Sequence, residues 1–440
     1  MAKSARVRVS AEVVNASMLL YMTWLLLPAV QTTLRAATGV LAVAGFAVGV
    51  AIDPDFFKYR WRSFIPRALA AVGLPFALFY LLERGGGNLP AYLAQQGMFW
   101  FPLLWCAYAR ERGDARVYRW VTPLFVTLMT VTTLTTIGWL VQGLLRGGKV
   151  YAYARSLGNA APGNEAYLKE LMQRNIGGYD FIYASVLLLP VVFGLACRAK
   201  GRARLGYAIL YGLQLALIGL SQYTYAILFA LAITAVELIA LLLRAVFRKL
   251  TPLGSMLWAL PVIASVWLLR VPLLTWAGSV AASVGFQNAA YSLSQLLAML
   301  TGGAVDAGSR LATYTVPLQG FAASPLVGSM LGGVKMLGMH SDLLDLLSGV
   351  GLLGTSAFGL GVWVIGRGSE KGLWRHPAMP HLLLQRLMLV VCLALGTVFY
   401  SREIPLALCL TAAALLREPN ALTAARNAAP ESAAQATAKL

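Results

Sequence analysis

The run from Tyr223 to Leu243 (YTYAILFALAITAVELIALLL) contains a single charged residue, Glu237. A helix that crosses the hydrocarbon of a bilayer needs roughly 20 predominantly apolar residues. Inside lipid every backbone polar group must be satisfied by the chain itself, so only helices or closed barrels can span. Runs of this kind recur along the whole chain. They predict twelve spans, at Val13–Val30, Ala36–Ile52, Ile65–Leu82, Ala94–Ala109, Trp120–Leu145, Tyr179–Cys197, Leu205–Leu220, Tyr223–Leu243, Leu253–Leu269, Leu343–Ile365, Leu383–Tyr400 and Ile404–Leu416. The basic start (Lys3, Arg6, Arg8) leads directly into the first, without the small-residue cleavage site of a signal peptide. Composition requires the same fold class. The chain is 59% hydrophobic and only 12% charged, with a mean hydropathy of +0.69. A soluble domain is about a quarter charged, and this sequence is too apolar to be disordered.

The formal net charge of +19 has two readings, a nucleic-acid footprint or cationic cytoplasmic loops. The positions of the charges decide between them. With the N-terminus in the cytoplasm, more than two-thirds of the 36 Lys and Arg fall on that side, loop after alternate loop. Lys58, Arg60, Arg62 and Arg67 make one cluster; Arg110, Arg112, Arg116 and Arg119 a second; Arg198, Lys200, Arg202 and Arg204 a third. A nucleic-acid surface would concentrate them in one module. The expected architecture is therefore an all-α, polytopic membrane protein of about twelve spans, with both termini cytoplasmic and no nucleic-acid partner. Residues 1–416 form the membrane domain, and the Ala- and Asn-rich residues 417–440 a loose tail. The four cysteines (Cys106, Cys197, Cys392, Cys409) lie in or at the ends of spans and read as apolar packing.

Two connections are long, residues 146–178 and 270–342, and both fall on the outer side. The second is apolar, and Tyr291–Leu300 and Leu311–Phe321 read as short amphipathic helices. It is expected to cap the bundle between spans nine and ten. Charged groups inside spans are few. Glu237 and Arg386 are the clearest, and local pairing of Glu237 with Arg244 and snorkelling of Arg386 account for them. An ion-coupled transporter is expected to carry midplane acids and interrupted helices in two matching halves, and the sequence displays neither. His376 and His381 are placed in a cytoplasmic loop, which leaves His340 as the one outer histidine.

The most informative stretch is 309–354, SRLATYTVPLQGFAASPLVGSMLGGVKMLGMHSDLLDLLSGVGLLG. Arg310 opens a short helix. Ser324-Pro325-Leu326-Val327-Gly328 makes a turn, and a glycine-rich stretch follows. His340-Ser341-Asp342 precedes a span that contains Gly351-Leu-Leu-Gly354. This pattern resembles the signature region of the O-antigen ligase and repeat-unit polymerase superfamily of integral membrane glycosyltransferases. The resemblance covers about 45 residues, in the large outer loop and the helix after it. It implies a polymerase that joins undecaprenyl-diphosphate-linked oligosaccharides at the periplasmic face of the bacterial inner membrane, for O-antigen, capsule or exopolysaccharide. The partners implied are that lipid-linked donor, a glycan acceptor, the bilayer and a chain-length regulator. A ligase transferring the glycan to lipopolysaccharide core is the alternative within the superfamily. A flippase for the same lipid-linked glycan is the alternative from another class.

The residues themselves admit such chemistry. An imidazole at position 340 can act as a general base near neutral pH, or hydrogen-bond a sugar or phosphate oxygen. The guanidinium of Arg310 can hold a diphosphate bidentately, with Arg402 as a second cation. Asp342 and Asp345 either orient His340 or complement a helix N-terminus, and Ser341 is an N-cap candidate. Arg174 and Arg270 are weaker cationic candidates. The stretch Gly328–Lys335 lacks the Gly-Lys-Ser/Thr ending of a nucleotide loop. Its glycines suit close backbone approach to a ligand. At the turn before the eighth span, where many ligases carry Ser-Arg, this chain has Ser221-Gln222. A neutral Gln222 can hydrogen-bond a sugar but cannot replace the charge, which favours polymerase over ligase. No acid cluster has metal-ligand spacing, and neither metal nor cofactor is expected.

Overall fold

The computed structural model describes residues 3–56, 97–98, 100–106, 108–109, 117–147, 165–247, 250–301, 310–334, 336–338, 340–370, 378–396 and 403–408. Among these the regular structure is helical throughout, with no strand. The helices are α1 (Lys3–Leu26), α2 (Pro28–Ala51), α3 (Val117–Gly147), α4 (Glu165–Gln173), α5 (Tyr179–Arg198), α6 (Gly201–Ser221), α7 (Thr224–Val246), α8 (Pro252–Trp267), α9 (Arg270–Ser283), α10 (Gln287–Thr301), α11 (Arg310–Ala323), α12 (Asp342–Glu370) and α13 (Met379–Leu395).

Six of the described helices are long and apolar enough to cross a membrane, and a seventh span is reached if the two halves of α2, bent by 91°, are counted as one. The chain is thus a helical membrane protein by length and composition, but the described residues do not reach twelve spans. Expected span Ile65–Leu82 lies outside them, as does most of Ile404–Leu416. Expected span Leu253–Leu269 is the 16-residue α8, which is short for a crossing. The 417–440 tail and Arg402 also lie outside the described residues.

Helix α5 is the post around which the others stand. It is apolar on every side, and Phe181 through Val192 are buried without interruption. A helix hydrophobic all round belongs in the interior, and α5 packs against α6, α7 and α13. Around it the outer helices turn apolar side chains outward. On α7, Leu231, Leu238 and Leu242 are exposed while Phe229, Ile233 and Val236 are buried. That is the pattern of a helix with one face on protein and one on lipid.

The α1–α2 hairpin turns at Leu27, which is extended, with Pro28 opening α2. Its helices meet along small residues. A methyl group at Gly45 would fall 2.6 Å from Ser17 Oγ, and one at Gly49 2.6 Å from Val14 Cγ2. Such small-residue seams let membrane helices approach closely. At the end of α2, Asp53 is buried and its Oδ2 accepts the Tyr108 hydroxyl at 2.5 Å.

The described part of the stretch 270–342 contains three α-helices. The two amphipathic helices expected in it are present as α10 and α11, and α9 precedes them with no buried residue. Placing Leu238 in lipid predicts that Leu238→Cys, in a cysteine-free background, resists a water-soluble maleimide in opened membrane vesicles and reacts after detergent solubilisation. Tyr167→Cys on α4 should react at once. Equal reaction of Leu238→Cys before detergent would remove that face of α7 from the bilayer.

Candidate functional site

Of the sequence-predicted residues, Asp342 meets the carbonyl end of α13 directly, and His340 stands two residues before it in the chain. The last carbonyls of a helix have no partner within it. Here neighbours supply them. The Tyr314 hydroxyl, from α11, donates to the Leu395 carbonyl at 3.2 Å. The Asp342 amide, at the head of α12, donates to the Gly396 carbonyl at 3.0 Å. Ser341 Oγ reaches the Leu393 carbonyl at 3.5 Å and accepts the Leu344 amide at 3.2 Å, so it is the N-cap that its position suggested. The heads of α11 and α12 are thereby fixed beside one another. Arg310 is the first residue of α11, with its side chain outside what the structure describes. His340 stands half-buried two residues before α12. Asp345 does not stand merely as a helix-end charge. Its Oδ1 accepts the Gly338 amide at 2.7 Å and holds the chain that leads into His340.

Gly396 also faces α5, since a methyl group there would lie 3.6 Å from Tyr179 Oη. The Tyr179 ring packs on Tyr183 at 4.6 Å and on Tyr223 at 5.2 Å. Next to Tyr223 is Gln222, which ends α6 in the left-handed conformation at φ 56°. Only a few per cent of non-glycine residues take positive φ, and such strain gathers at functional sites. Gln222 is 2% exposed, yet among the described residues neither its amide nitrogen nor its amide oxygen has a hydrogen-bond partner. Most buried side-chain polar atoms are paired. An idle primary amide next in the chain to Tyr223 therefore offers a donor and an acceptor that no described residue takes up. Hydroxyls on an aromatic-lined surface suit it.

Arg174 is elsewhere in the site's surroundings. It pairs with Glu170 at 2.6 Å, both side chains being more than half exposed. With Arg146, Trp139 and Tyr167 it lines a cavity of about 170 Å³ between α3 and α4. No described contact joins Arg174 to the tyrosine cluster. Arg270 opens α9.

The glycine-rich stretch divides in two. Gly328 packs on the backbone of α12, whereas Gly332 and Gly333 have open space beside them. Within α12, Gly351 takes φ 65° and ψ −170°, which breaks the helix. The turn 325–329 fills the break. The Leu352 amide donates to the Pro325 carbonyl at 2.9 Å, the Leu353 amide to Leu326 at 3.1 Å, and the Ser329 amide to Ser348 at 2.7 Å. Methyl groups at Gly328 and Gly351 would overlap the backbones of Gly349 and Leu326 respectively. The two halves of the sequence motif are thus one hydrogen-bonded unit.

Two expectations, the loop placement of His381 and the pairing of Glu237 with Arg244, are overturned by these observations. Helix α12 is interrupted at Gly351, a single break and not a matched pair. His381 is not in a loop; it lies in the first turn of α13, 3% exposed, and its Nδ1 is 2.7 Å from Glu237 Oε1. Glu237 is wholly buried and pairs across helices instead of with Arg244. The missed tyrosines had a sequence signal. Tyr179 and Tyr183 are spaced i,i+4 at one helix start, and Tyr223 sits at another, where aromatic residues mark membrane interfaces. The break at Gly351 was signalled by Gly349-Val350-Gly351 inside an apolar run. The Glu237–His381 pair, 144 residues apart in the chain, had none.

Comparison with protein-family models, with curated proteins and with solved structures finds no match to this chain.

The docking of the turn predicts a sharp glycine contrast. Gly351→Ala meets both positive φ and occupied space, and should cost about 1–3 kcal/mol, seen as a lowered unfolding midpoint in detergent. Gly212→Ala on α6, with nothing within 4 Å of the added methyl, should be neutral or stabilising. Equal effects would mean that the break is not held by the turn.

Proposed function

We propose that the chain is an integral membrane glycosyltransferase acting on an undecaprenyl-diphosphate-linked oligosaccharide, and specifically a repeat-unit polymerase for O-antigen, capsule or exopolysaccharide. The observation that carries the reading is the buried amide of Gln222, which has no hydrogen-bond partner among the described residues and is next in the chain to Tyr223, whose ring packs on Tyr179 near the end of α13 that holds the heads of α11 and α12. Amides and aromatic faces suit sugar hydroxyls and sugar rings. Arg310 and His340 open the two neighbouring segments. In this reading the site faces the periplasm in the bacterial inner membrane.

The reaction needs no nucleotide, because a lipid diphosphate is already a good leaving group. Arg310, with Arg402, stabilises charge on the departing diphosphate. His340 takes the proton of the acceptor hydroxyl as that oxygen attacks the anomeric carbon. The glycosidic bond forms as the carbon–phosphate oxygen bond breaks, with inversion. In the polymerase the acceptor is another lipid-linked unit; in a ligase it would be a core sugar. The neutral Gln222, where many ligases carry arginine, supports the polymerase.

Purified protein incubated with lipid-linked repeat units should give longer glycans on a gel. His340→Ala should slow this by about 10²–10⁴-fold, the usual contribution of general acid–base catalysis. Gln222→Leu should weaken acceptor or donor binding by up to about tenfold, the worth of one or two hydrogen bonds. The second reading, a flippase for the same lipid, draws on the interrupted α12 and the buried Glu237. It predicts movement of the lipid between leaflets without a longer product, and identical behaviour of wild type and His340→Ala.

A further inference from the structure

We propose that Glu237 and His381 form a binding site for a single proton inside the bundle. The site is built by three helices and plays no part in the chemistry at the far end of α13. Glu237 comes from α7 and His381 from the first turn of α13; their side chains are 0% and 4% exposed, and the Oε1–Nδ1 distance is 2.7 Å. Helix α5 makes the room. A methyl group at Gly194 would lie 2.7 Å from His381 Cδ2 and 2.9 Å from Cγ, so the imidazole rests on the bare backbone of α5. Phe193 lies beside it at 6.2 Å. One turn along α13, Gln385 Nε2 donates to the Leu187 carbonyl at 2.9 Å and fixes the rotation of the helix.

Charge dictates the proton count. Glu237 Oε2 is buried and has no hydrogen-bond partner among the described residues. A pair holding one proton is net neutral, whether that proton sits on Oε1 or on Nδ1. Losing it leaves a buried carboxylate with one bare oxygen. Gaining a second leaves a buried imidazolium beside a neutral acid. Either change puts net charge into a low-dielectric interior, which is costly. Arg244 offsets only part of that cost for the carboxylate. Arg244, two turns along α7, is the nearest cation on that helix, and Arg204 on α6 acts on Cys197 of α5. Tyr211 of α6 feels Glu237 but is bonded to Thr234 at 2.8 Å. Arg386 follows Gln385 on α13, and α8 brings no titratable side chain.

The proton is therefore retained while the helices stay together. Any movement that parts α13 from α7 exposes the pair to a new balance and is linked to proton uptake or release. The test uses the full-length protein in nanodiscs, with isotope-edited infrared spectra of the glutamate and histidine groups and Glu237→Gln to assign the bands. Between about pH 5 and 8, where a free histidine titrates, the wild type should show one proton throughout, as a protonated acid or as an imidazolium. A carboxylate together with a neutral imidazole at pH 8, or an imidazolium together with a protonated acid at pH 5, would overturn the proposal.

Discussion

A backbone carbonyl that cannot reach water must find a donor within the protein, and in a bilayer that demand falls on every helix end and every break. Two such places organise this structure. At the end of α13, the carbonyls of Leu393, Leu395 and Gly396 are met by Ser341, Tyr314 and the Asp342 amide. At the break in α12, the Ser348 carbonyl and the amides of Leu352 and Leu353 are met by residues 325–329. The first fixes where α11 and α12 begin. The second fixes the turn that joins them. Together they hold Arg310 and His340 on one framework, although 30 residues separate them in the chain.

Side-chain polarity follows the opposite logic at the two ends of α13. Near the carbonyl end, Gln222 is buried and no described residue pairs its amide, although most buried side-chain polar atoms are paired. At the amino end, Glu237 and His381 satisfy each other across helices, and Gly194 gives them the space. At one end a buried amide has no partner among the described residues; at the other a buried acid and a histidine are paired. Helix α13 spans the distance between them in 17 residues, and α5 lies against it along the way.

Much of this was legible in the sequence for local reasons. The all-helical membrane class, the helices α10 and α11 and the Ser341 cap all rest on patterns within a few residues. The structure departs where tertiary contacts decide. Periodicity starts a span at Leu383, but α13 begins at Met379, because packing against Gly194 and pairing with Glu237 draw a histidine into an apolar helix. The glycines of 328–351 were readable as special, yet their spacing cannot say whether a ligand or the chain's own backbone comes close. The Tyr179–Tyr223 pairing joins residues that no short window contains.

The broken helix bears on what the protein does. In transporters with discontinuous helices, the freed backbone groups line a cavity and coordinate the cargo. Here they are already engaged. Pro325 and Leu326 take the freed amides, and Ser329 takes the freed carbonyl. Methyl groups at either glycine would collide with the opposing backbone, so there is no room between the strands of chain for a substrate. The interruption of α12 is therefore a joint that seats the turn, and it offers no ligand site of its own. A single closed break is not the matched pair of discontinuous helices that a transporter is expected to carry. The unsatisfied polar group near the carbonyl end of α13 is the amide of Gln222, which has no partner among the described residues.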